Sequence, residues 1–305
     1  MSVFDADTTV LPALRADAEF DVCVLGSANL DLVATVDRLP GPGETVSGSG
    51  YAEYPGGKGL NQAVAAARCG ASTAFVGAVG RDSAASVLLQ VMAAERIDDR
   101  WVARVDVPTG RALIGVAAGG ENSIIVVPGA NGTVGGDASP APTARVLLAQ
   151  LEVPVAAVRE ALAAARAGGT LTVFNPAPAH VLDDDLLRCC DLVVPNEHEA
   201  ELLGGVEHLL ELGARAVVVT QGARGATLHT AGTVVPIAPF AVEAVDTTGA
   251  GDTFCGALCA RLAAGEALLP ALRFGAAAGA LCTTRRGAVP SIPSLAEVLG
   301  LLSAG

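Results

Sequence analysis

The chain has 305 residues, of which 51% are hydrophobic, and this composition predicts a large buried core in one large domain or two small ones. Aromatic residues make up only 3% and the formal net charge is −13, which argues against binding to a nucleic-acid backbone or stacking on its bases. No apolar stretch reaches the roughly 18 to 20 residues that cross a bilayer, and the first twenty residues lack the features of a secretory signal. We therefore predict a cytoplasmic protein without a membrane partner and with a flexible tail over residues 1–20.

Short β-branched segments alternate with Ala- and Leu-rich segments of helical length after the predicted tail. In chain order they include "FDVCVLGS", "GLNQAVAAARCG", "TAFVGAVG", "SAASVLLQVMAAERI", "TLTVFN", "LVVPN", "ARAVVVTQG" and "GDTFCGALCARLAAG". This alternation is typical of βαβ units. It predicts an α/β fold with a central, mostly parallel sheet flanked by helices on both faces.

Two regions interrupt the alternation. Residues 32–54 and 101–118 contain short strand-like segments separated by Pro and Gly turns, with no helix between them. They predict a small β-sheet beside the main domain, suited to covering a cleft. The composition of residues 129–144 predicts a loop.

The seven cysteines contain no Cys-x-x-Cys pair, and the four histidines do not have zinc-ligand spacing beside them. Buried, reduced thiols are typical of a cytosolic protein. Cys255 and Cys259 are four residues apart on a predicted helix, which allows a ligand pair. Packing as small apolar side chains is the favoured interpretation.

Several predicted strands end in a polar residue, namely Asn29, Asn175, Asn196 and Thr220. Each of these could simply cap the next helix or turn. In a parallel sheet, however, these ends lie on the carboxyl edge, where open α/β folds bind ligands. The four together favour a ligand site at that edge.

The segment "PGGKGLNQAVAAARCG", residues 55–70, places paired glycines and a lysine at the start of a predicted helix. Lys58, Asn61 and Gln62 can share one face of its first turns. The helix start can bind an oxygen-rich ligand, although a glycine-rich turn with a solvated lysine is the alternative. The spacing does not match the common phosphate-binding loop GxxxxGK[ST].

The segment "VDTTGAGDTF", residues 245–254, combines a Gly-Ala-Gly turn with an acid in the first turn of the following helix. Amides at such a helix start favour a bound anion. An acid there can be an ordinary partner of the helix dipole. A carboxylate beside an anion site also suits phosphoryl transfer, because it can accept a hydroxyl proton while the amides stabilise the phosphoryl charge.

These two segments, in this order, resemble the signature regions of the ribokinase-like, or phosphofructokinase-B, family of carbohydrate kinases. The similarity runs from about residue 20 to about residue 293 and so covers nearly the whole chain. The segments "GSANLDLVATVDRLPGPGETV", "GGKGLNQA", "LAQLEVP", "NPAPA" and "PNEHEAELL" are more similar to family members that act on ribose than to those that act on fructose or adenosine.

The resemblance implies a kinase domain over residues 21–305, with residues 32–54 and 101–118 as a lid that often pairs two subunits into a homodimer. The implied reaction converts ATP and D-ribose into ribose 5-phosphate and ADP. Asp252 matches the family's general base for the 5-hydroxyl proton, and the amides of Gly249, Ala250 and Gly251 match its anion hole. The residues that match the family's sugar contacts are Asn29, Asp31, Gly57, Lys58, Asn61, Glu152 and Asp252.

On the nucleotide side, Asn196 and Glu199 match a motif that orders Mg²⁺-bound phosphates, largely through water. The residues that match ATP contacts also include Thr220, Gln221, Gly222, Ala223, Arg224, Gly225, Gly251, Asp252 and Ala276. The resemblance further implies a monovalent cation, usually K⁺, beside the anion hole. Its two loops match Asp246 and Thr248, and then Cys282, Arg285, Gly287 and Ser291, most of them through backbone carbonyls.

The chain departs from the family pattern at two places. The segment before "ARAVVVTQG" is short and leaves room only for a brief helix around Val206 to Leu212, and Ala276 stands where a polar residue is common near the adenine. Alternatives to ribose are deoxyribose, another pentose or a nucleoside. A sugar- or nucleotide-binding sensor without turnover is a further alternative, which the presence of Asp252 disfavours. A Rossmann dehydrogenase is disfavoured because "VLGSANLD" lacks GxGxxG.

Overall fold

The computed structural model describes residues 10–135 and 142–304 of the chain. Its strands are β1 (Phe20–Leu25), β2 (Asn29–Val36), β3 (Gly48–Gly56), β4 (Thr73–Val79), β5 (Asp98–Arg104), β6 (Gly110–Ala117), β7 (Asn122–Val127), β8 (Ala144–Ala149), β9 (Leu171–Phe174), β10 (Leu192–Val193), β11 (Ala216–Thr220), β12 (Ala226–Thr230) and β13 (Thr233–Ile237). Its α-helices are α1 (Lys58–Arg68), α2 (Ser83–Ala94), α3 (Val155–Ala167), α4 (Asp184–Leu187), α5 (Glu197–Leu202), α6 (Val206–Glu211), α7 (Ala250–Ala263), α8 (Leu268–Cys282) and α9 (Leu295–Ala304).

Nine strands of the described chain form the central sheet, in the order β13-β12-β11-β10-β9-β8-β1-β4-β5. The pairs from β5 to β11 are parallel, whereas β12 and β13 continue one edge in antiparallel fashion. The inner strands are apolar almost throughout because helices cover both faces. The α/β fold with a mostly parallel sheet is therefore confirmed.

Successive side chains of each inner strand point to opposite faces of the sheet, and two separate cores result. On one face, Val24 and Leu148 pack in a cluster with residues of α1, α2, α7 and α8. On the other face, Cys23 and Leu147 pack with residues of α3, α5 and α6. The short helix α6 (Val206–Glu211) confirms the brief helix expected there.

A second sheet in the described chain has the order β3-β2-β6-β7, and we call it the lid sheet. It confirms the predicted small sheet, but its boundaries differ from those expected. Residues 101–104 belong to β5, which pairs with β4 in the central sheet and buries Val102 there. The lid instead includes β7, which lies outside both predicted segments and pairs with β6. Apolar and polar residues alternate within "WVARVDV", and this pattern fits a strand of either sheet. The sequence therefore could not assign residues 101–104 to the central sheet rather than to the lid sheet.

Several other expectations fall at the edges of the described chain. Residues 1–9 of the predicted tail lie outside the described residues, while Val10, Leu11 and Leu14 pack against the core. Within the predicted loop 129–144, residues 136–141 also lie outside the described residues, and residues Gly129–Thr133 form a 3₁₀ helix.

All seven cysteines are free, and Cys255 and Cys259 are buried. Among the described helices, none combines the length and the apolar character needed to traverse a membrane.

Helices α1 and α7 pack against each other at a glycine. A Cβ atom added to Gly256 would lie 2.2 Å from the Gln62 carbonyl oxygen and 2.7 Å from the Ala65 Cβ. Only a residue without a side chain permits this approach of the two backbones. The contact places the first turn of α7 beside the first turns of α1.

We predict that Gly256→Ala lowers the free energy of unfolding by about 1 to 3 kcal/mol, because the added methyl group must separate the two helices. The matched control is Gly300→Ala in α9, where an added Cβ meets no atom within 4 Å. That control should be neutral or stabilise by about 0.5 to 1 kcal/mol, since alanine favours a helix. Urea unfolding of both variants measures the difference, and equal stabilities would contradict the packing argument.

Candidate active site

Asp252 lies in the first turn of α7 and is only 7% exposed. Its two carboxylate oxygens accept hydrogen bonds from adjacent residues of α1. Asn61 Nδ2 donates to Oδ2 at 3.0 Å, and Gln62 Nε2 donates to Oδ1 at 3.2 Å. Asn61 and Gln62 thus share one face of α1, as predicted, and both donate hydrogen bonds from that face to the Asp252 carboxylate.

A chain of amide groups fixes the orientation of Gln62. Asn175 Nδ2 donates to the Val194 carbonyl at 2.9 Å, so Asn175 Oδ1 faces Gln62 and accepts from its Nε2 at 3.2 Å. Gln62 Oε1 and Asn61 Oδ1 are buried and have no hydrogen-bond partner among the described residues. A bound hydroxyl group could satisfy such acceptors, since buried polar atoms normally have partners.

Burial raises the pKa of Asp252, while the nearby charge of Lys58 and the hydrogen bond from Asn61 lower it, and the net shift is upward. The pKa of Lys58 is raised in turn, chiefly by Asp252. A raised pKa makes the carboxylate a stronger base than an ordinary aspartate. The environment of Asp252 therefore suits proton transfer from a hydroxyl group.

Gly249 precedes α7 in the left-handed conformation, with φ of 76°, which favours glycine. The Ala250 N–H donates to the Thr247 carbonyl at 3.3 Å, so this amide of the predicted anion hole already has a partner. At Gly251 an added Cβ would meet no atom within 4 Å. Open space therefore adjoins the helix start, where the helix dipole favours an anion.

Asp31 of β2 and Glu152, which follows β8, lie close enough to Asp252 for their charges to affect its surroundings. Glu152 Oε2 accepts from Ser27 Oγ at 2.6 Å and from the Lys58 N–H at 3.1 Å, and Asn29 Nδ2 approaches it to 3.5 Å. Asp31 is 9% exposed. Burial, and then the charges of Glu152 and Asp252, raise the pKa of Asp31 to about 7. Carboxyl groups grouped in this way can accept hydrogen bonds from hydroxyl groups.

The paired glycines of the first motif allow the chain to pass close to this pocket. A Cβ on Gly56 would lie 2.2 Å from Asp31 Oδ2. Gly57 has φ of 90°, and its Cβ would lie 2.8 Å from the Asn29 nitrogen. Ser27 and Asn131, which contact this pocket, were missed by the sequence analysis. Ser27 lies within the quoted segment "GSANLDLVATVDRLPGPGETV" but was not singled out, and Asn131 lies in the predicted loop 129–144.

Asn196 and Glu199 form a capping box at the start of α5. Asn196 Oδ1 accepts from the Glu199 N–H at 2.8 Å, and Glu199 Oε2 accepts from the Asn196 N–H at 2.8 Å. Burial raises the pKa of Glu199, which is 5% exposed. The Asn-x-x-Glu spacing thus caps the amino end of α5, in addition to any ligand that the two side chains bind.

The predicted nucleotide loop follows β11. Thr220 ends the strand, and residues Gly222–Arg224 form a short 3₁₀ helix. Gly225 has φ of 89°, and a Cβ there would lie 2.2 Å from the Ile237 carbonyl oxygen, so only glycine fits. The Gln221 N–H donates to the Gly225 carbonyl at 2.8 Å, and Arg224 pairs with Glu197. Ala276 lies on α8, partly buried against the core.

The two predicted cation loops are joined through Asp246. Its Oδ1 accepts from Thr248 N at 2.9 Å and Thr248 Oγ1 at 2.7 Å, and its Oδ2 accepts from the Gly287 N–H at 2.9 Å. Burial opposes ionisation of Asp246, but these hydrogen bonds outweigh it and lower its pKa. Ser291 and Cys282 are buried and interact through Oγ and Sγ at 3.0 Å, while the side chain of Arg285 pairs with Glu297.

The fold places a buried acid at a helix start near two further acids, an arrangement that suits the transfer of a phosphoryl group to a hydroxyl group. The chain belongs to the pfkB family of carbohydrate kinases, whose pattern matches residues 19–295. This result confirms the resemblance seen in the sequence.

Relatives of this chain within that family include ribokinases. The ribokinase of Haemophilus influenzae is 41% identical over 297 residues, which cover 92% of this chain and 97% of the relative. The crystal structure of Thermotoga maritima ribokinase matches with a TM-score of 0.85 at 35% identity, covering 93% of this chain and 99% of that one. The structure of Arabidopsis thaliana ribokinase complexed with ribose and ATP matches with a TM-score of 0.85 at 31% identity, covering 93% and 98%.

The pKa of Asp31 generates a prediction about stability. The unfolded chain ionises Asp31 near its ordinary pKa of about 3.9, whereas the folded chain keeps it protonated up to about pH 7. Its contribution to stability is therefore full below about pH 4 and is lost as the pH rises through about 7. We expect Asp31→Asn to reduce the fall in the free energy of unfolding over that range.

Urea unfolding at a series of pH values measures this effect. The matched control is Asp99→Asn, which changes an exposed aspartate of β5. If Asp31→Asn has the same pH profile as the parent protein, the folded carboxyl group has an ordinary pKa.

Proposed function

We propose that this protein transfers the γ-phosphoryl group of ATP to the 5-hydroxyl of D-ribose and releases ribose 5-phosphate and ADP. The observation that carries the proposal is the position of Asp252. It is buried, has a raised pKa, and stands between an acidic pocket and the open start of α7. The identity to ribokinases over most of the chain supports ribose as the sugar.

Asp252 acts as the general base. The 5-hydroxyl oxygen attacks the γ-phosphorus while its proton passes to the Asp252 carboxylate, and the bond from phosphorus to the ADP oxygen breaks. Asn61 and Gln62 hold the carboxylate in place by their hydrogen bonds. The helix start stabilises the charge on the transferring phosphoryl group, with Gly249, Ala250 and Gly251 forming the turn.

The remaining hydroxyls of the sugar bind to Asp31, Glu152 and Asn29, with Lys58 and the Gly57 turn completing the pocket. A carboxylate accepts hydrogen bonds from two adjacent hydroxyls. A sugar that lacks one hydroxyl would leave a buried acceptor unpaired, which lowers its reactivity. Deoxyribose, another pentose and a nucleoside remain the alternative acceptors.

Mg²⁺ would accompany ATP and neutralise phosphate charge when bound. Glu199 is suited to ordering such a hydrated ion because its Oε2 is fixed by the Asn196 N–H. ATP would lie along Thr220, Gln221, Gly222, Ala223, Arg224 and Gly225, and reach α8 at Ala276.

K⁺ is the proposed ion between the two loops that Asp246 joins. The donor set of Asp246, Thr248, Cys282, Arg285, Gly287 and Ser291 would be dominated by backbone carbonyls, which suit a hard cation. Bound there, the ion supplies positive charge beside the anion hole. We expect activity to depend on K⁺, and equal rates in sodium-free potassium and in a bulky ammonium salt would contradict the site.

A homodimer through the lid is supported by the apolar surface of the lid sheet. Ile125 of β7 is 61% exposed and pairs with Leu113 of β6, which is 43% exposed, so these two apolar side chains lie next to each other on one face of the lid sheet. Apolar side chains grouped in this way are typical of a protein interface. A monomer mass in sedimentation at micromolar concentration would contradict this assembly.

A coupled assay of ADP release tests the proposed function directly. The acceptors are ribose, deoxyribose, fructose and adenosine at equal concentrations. We expect ribose to give the highest kcat/KM because it satisfies every acceptor in the pocket. Turnover of another acceptor without turnover of ribose would reject ribose as the substrate.

Replacing Asp252 tests the base. We expect Asp252→Asn to lower kcat by about 10² to 10⁴, the range for a positioned base, while ribose and ATP still bind. The control is Asp106→Asn, because the side chain of Asp106 is 95% exposed. A variant at position 252 that keeps more than half of the parent turnover would exclude Asp252 as the base.

A further inference from the structure

Asn131 lies in the 3₁₀ helix that follows β7, and its side chain is almost entirely buried. It contacts Asn29, which is 102 residues away in the sequence, at the edge of the proposed sugar pocket. Asn131 Oδ1 accepts from the Ala28 N–H at 3.0 Å, and its Nδ2 donates to Asn29 Oδ1 at 2.7 Å and to the Ala28 carbonyl at 3.3 Å. Both ends of the Asn131 amide therefore bind the chain where it enters β2, at Ala28 and Asn29.

These contacts determine which way the Asn29 amide points. A backbone N–H can only donate, so the Ala28 N–H requires an oxygen at the near end of Asn131. Asn131 Nδ2 then faces Asn29, and because Nδ2 is a donor, Asn29 must accept this hydrogen bond through its Oδ1. Asn29 Nδ2 is consequently directed toward Glu152, which it approaches to 3.5 Å. The Ala28 N–H thus fixes the orientation of the Asn131 amide, and Asn131 in turn fixes the orientation of the Asn29 amide.

The backbone around this pair leaves little space for other side-chain positions. A Cβ on Gly110, the first residue of β6, would lie 2.2 Å from Asn131 Nδ2 and 2.3 Å from Asn29 Oδ1. The two amides therefore pack closely against Gly110, where only a glycine fits. A 180° flip of the Asn29 amide would exchange its oxygen and its nitrogen within the same space.

The orientation matters because the neighbouring groups are acids. A carboxylate oxygen such as Glu152 Oε2 accepts hydrogen bonds, whereas a sugar hydroxyl both donates and accepts. Asn29 Nδ2 supplies a donor on this side of the pocket. A flipped Asn29 would replace that donor by another acceptor.

We infer that Asn131 is a positioning residue that keeps the donor end of Asn29 directed at the hydroxyls of the sugar. This inference rests on the proposed function, since it assumes that the pocket binds a sugar. Asn131 acts through Asn29 and does not contact the sugar itself.

The test is a double-variant cycle with ribose binding measured by calorimetry. Asn131→Asp keeps the shape and the acceptor for Ala28 but places an oxygen opposite Asn29 Oδ1. We expect it to raise the Kd for ribose by about 10- to 100-fold, as for a buried polar group left without its partner. In the Asn29→Ala background the same change should alter that Kd by less than about 3-fold. The Kd for ATP should stay within about 3-fold in every variant.

Asn131→Ala provides a second variant if the first does not fold, and its smaller loss should also disappear in the Asn29→Ala background. The control is Asn122→Asp, which changes an exposed asparagine of β7. Equal losses in both backgrounds, or no loss in the parent background, would overturn the role of Asn131. A parent protein that does not bind ribose would overturn the proposed function as well, so the two failures are distinguishable.

Discussion

The close packing of α7 on α1 is the constraint on which the site depends. Gly256 has no side chain to separate the two backbones, so the first turn of α7 can face the first turns of α1. Asp252 and its partner Asn61 are 191 residues apart in the sequence, so no local preference could bring them together. The hydrogen bonds to the carboxylate, its burial and its raised pKa all follow from this contact.

The electrostatics of the site divide it into two halves. Burial and the charge of Glu152 raise the pKa values of Asp31 and Asp252, so this part of the site favours neutral groups over further anions. The start of α7, by contrast, provides positive potential for an anion. The proposed neutral polyol and polyphosphate therefore suit different parts of the site, with Asp252 between the two proposed positions.

The sequence predicted features whose determinants are local. Alternating strands and helices, the polar strand ends and the Gly-Ala-Gly-Asp turn are each contained in a short segment. The lid boundaries were partly wrong because β5 joins the central sheet through β4, and because the apolar residues of β7 are exposed and do not alternate. Ser27 and Asn131 were missed because their partners lie 125 and 102 residues away. The capping box of Asn196 and Glu199 could have been found from its spacing alone.

In the described residues, the chain passes between the two sheets at four places, and all four meet around Asn29. They are the segment before β2, Gly57, the start of β6 at Gly110, and the 3₁₀ helix with Asn131. The far end of the lid, by contrast, turns through Gly119 and Gly120, where an added Cβ would meet no atom within 4 Å. A fluorescent label or new chain termini placed at that turn would move with the lid sheet. They would not disturb the four crossing segments around Asn29 that connect the lid sheet to the central sheet. The turn is thus a natural attachment point for a probe of lid motion in the working enzyme.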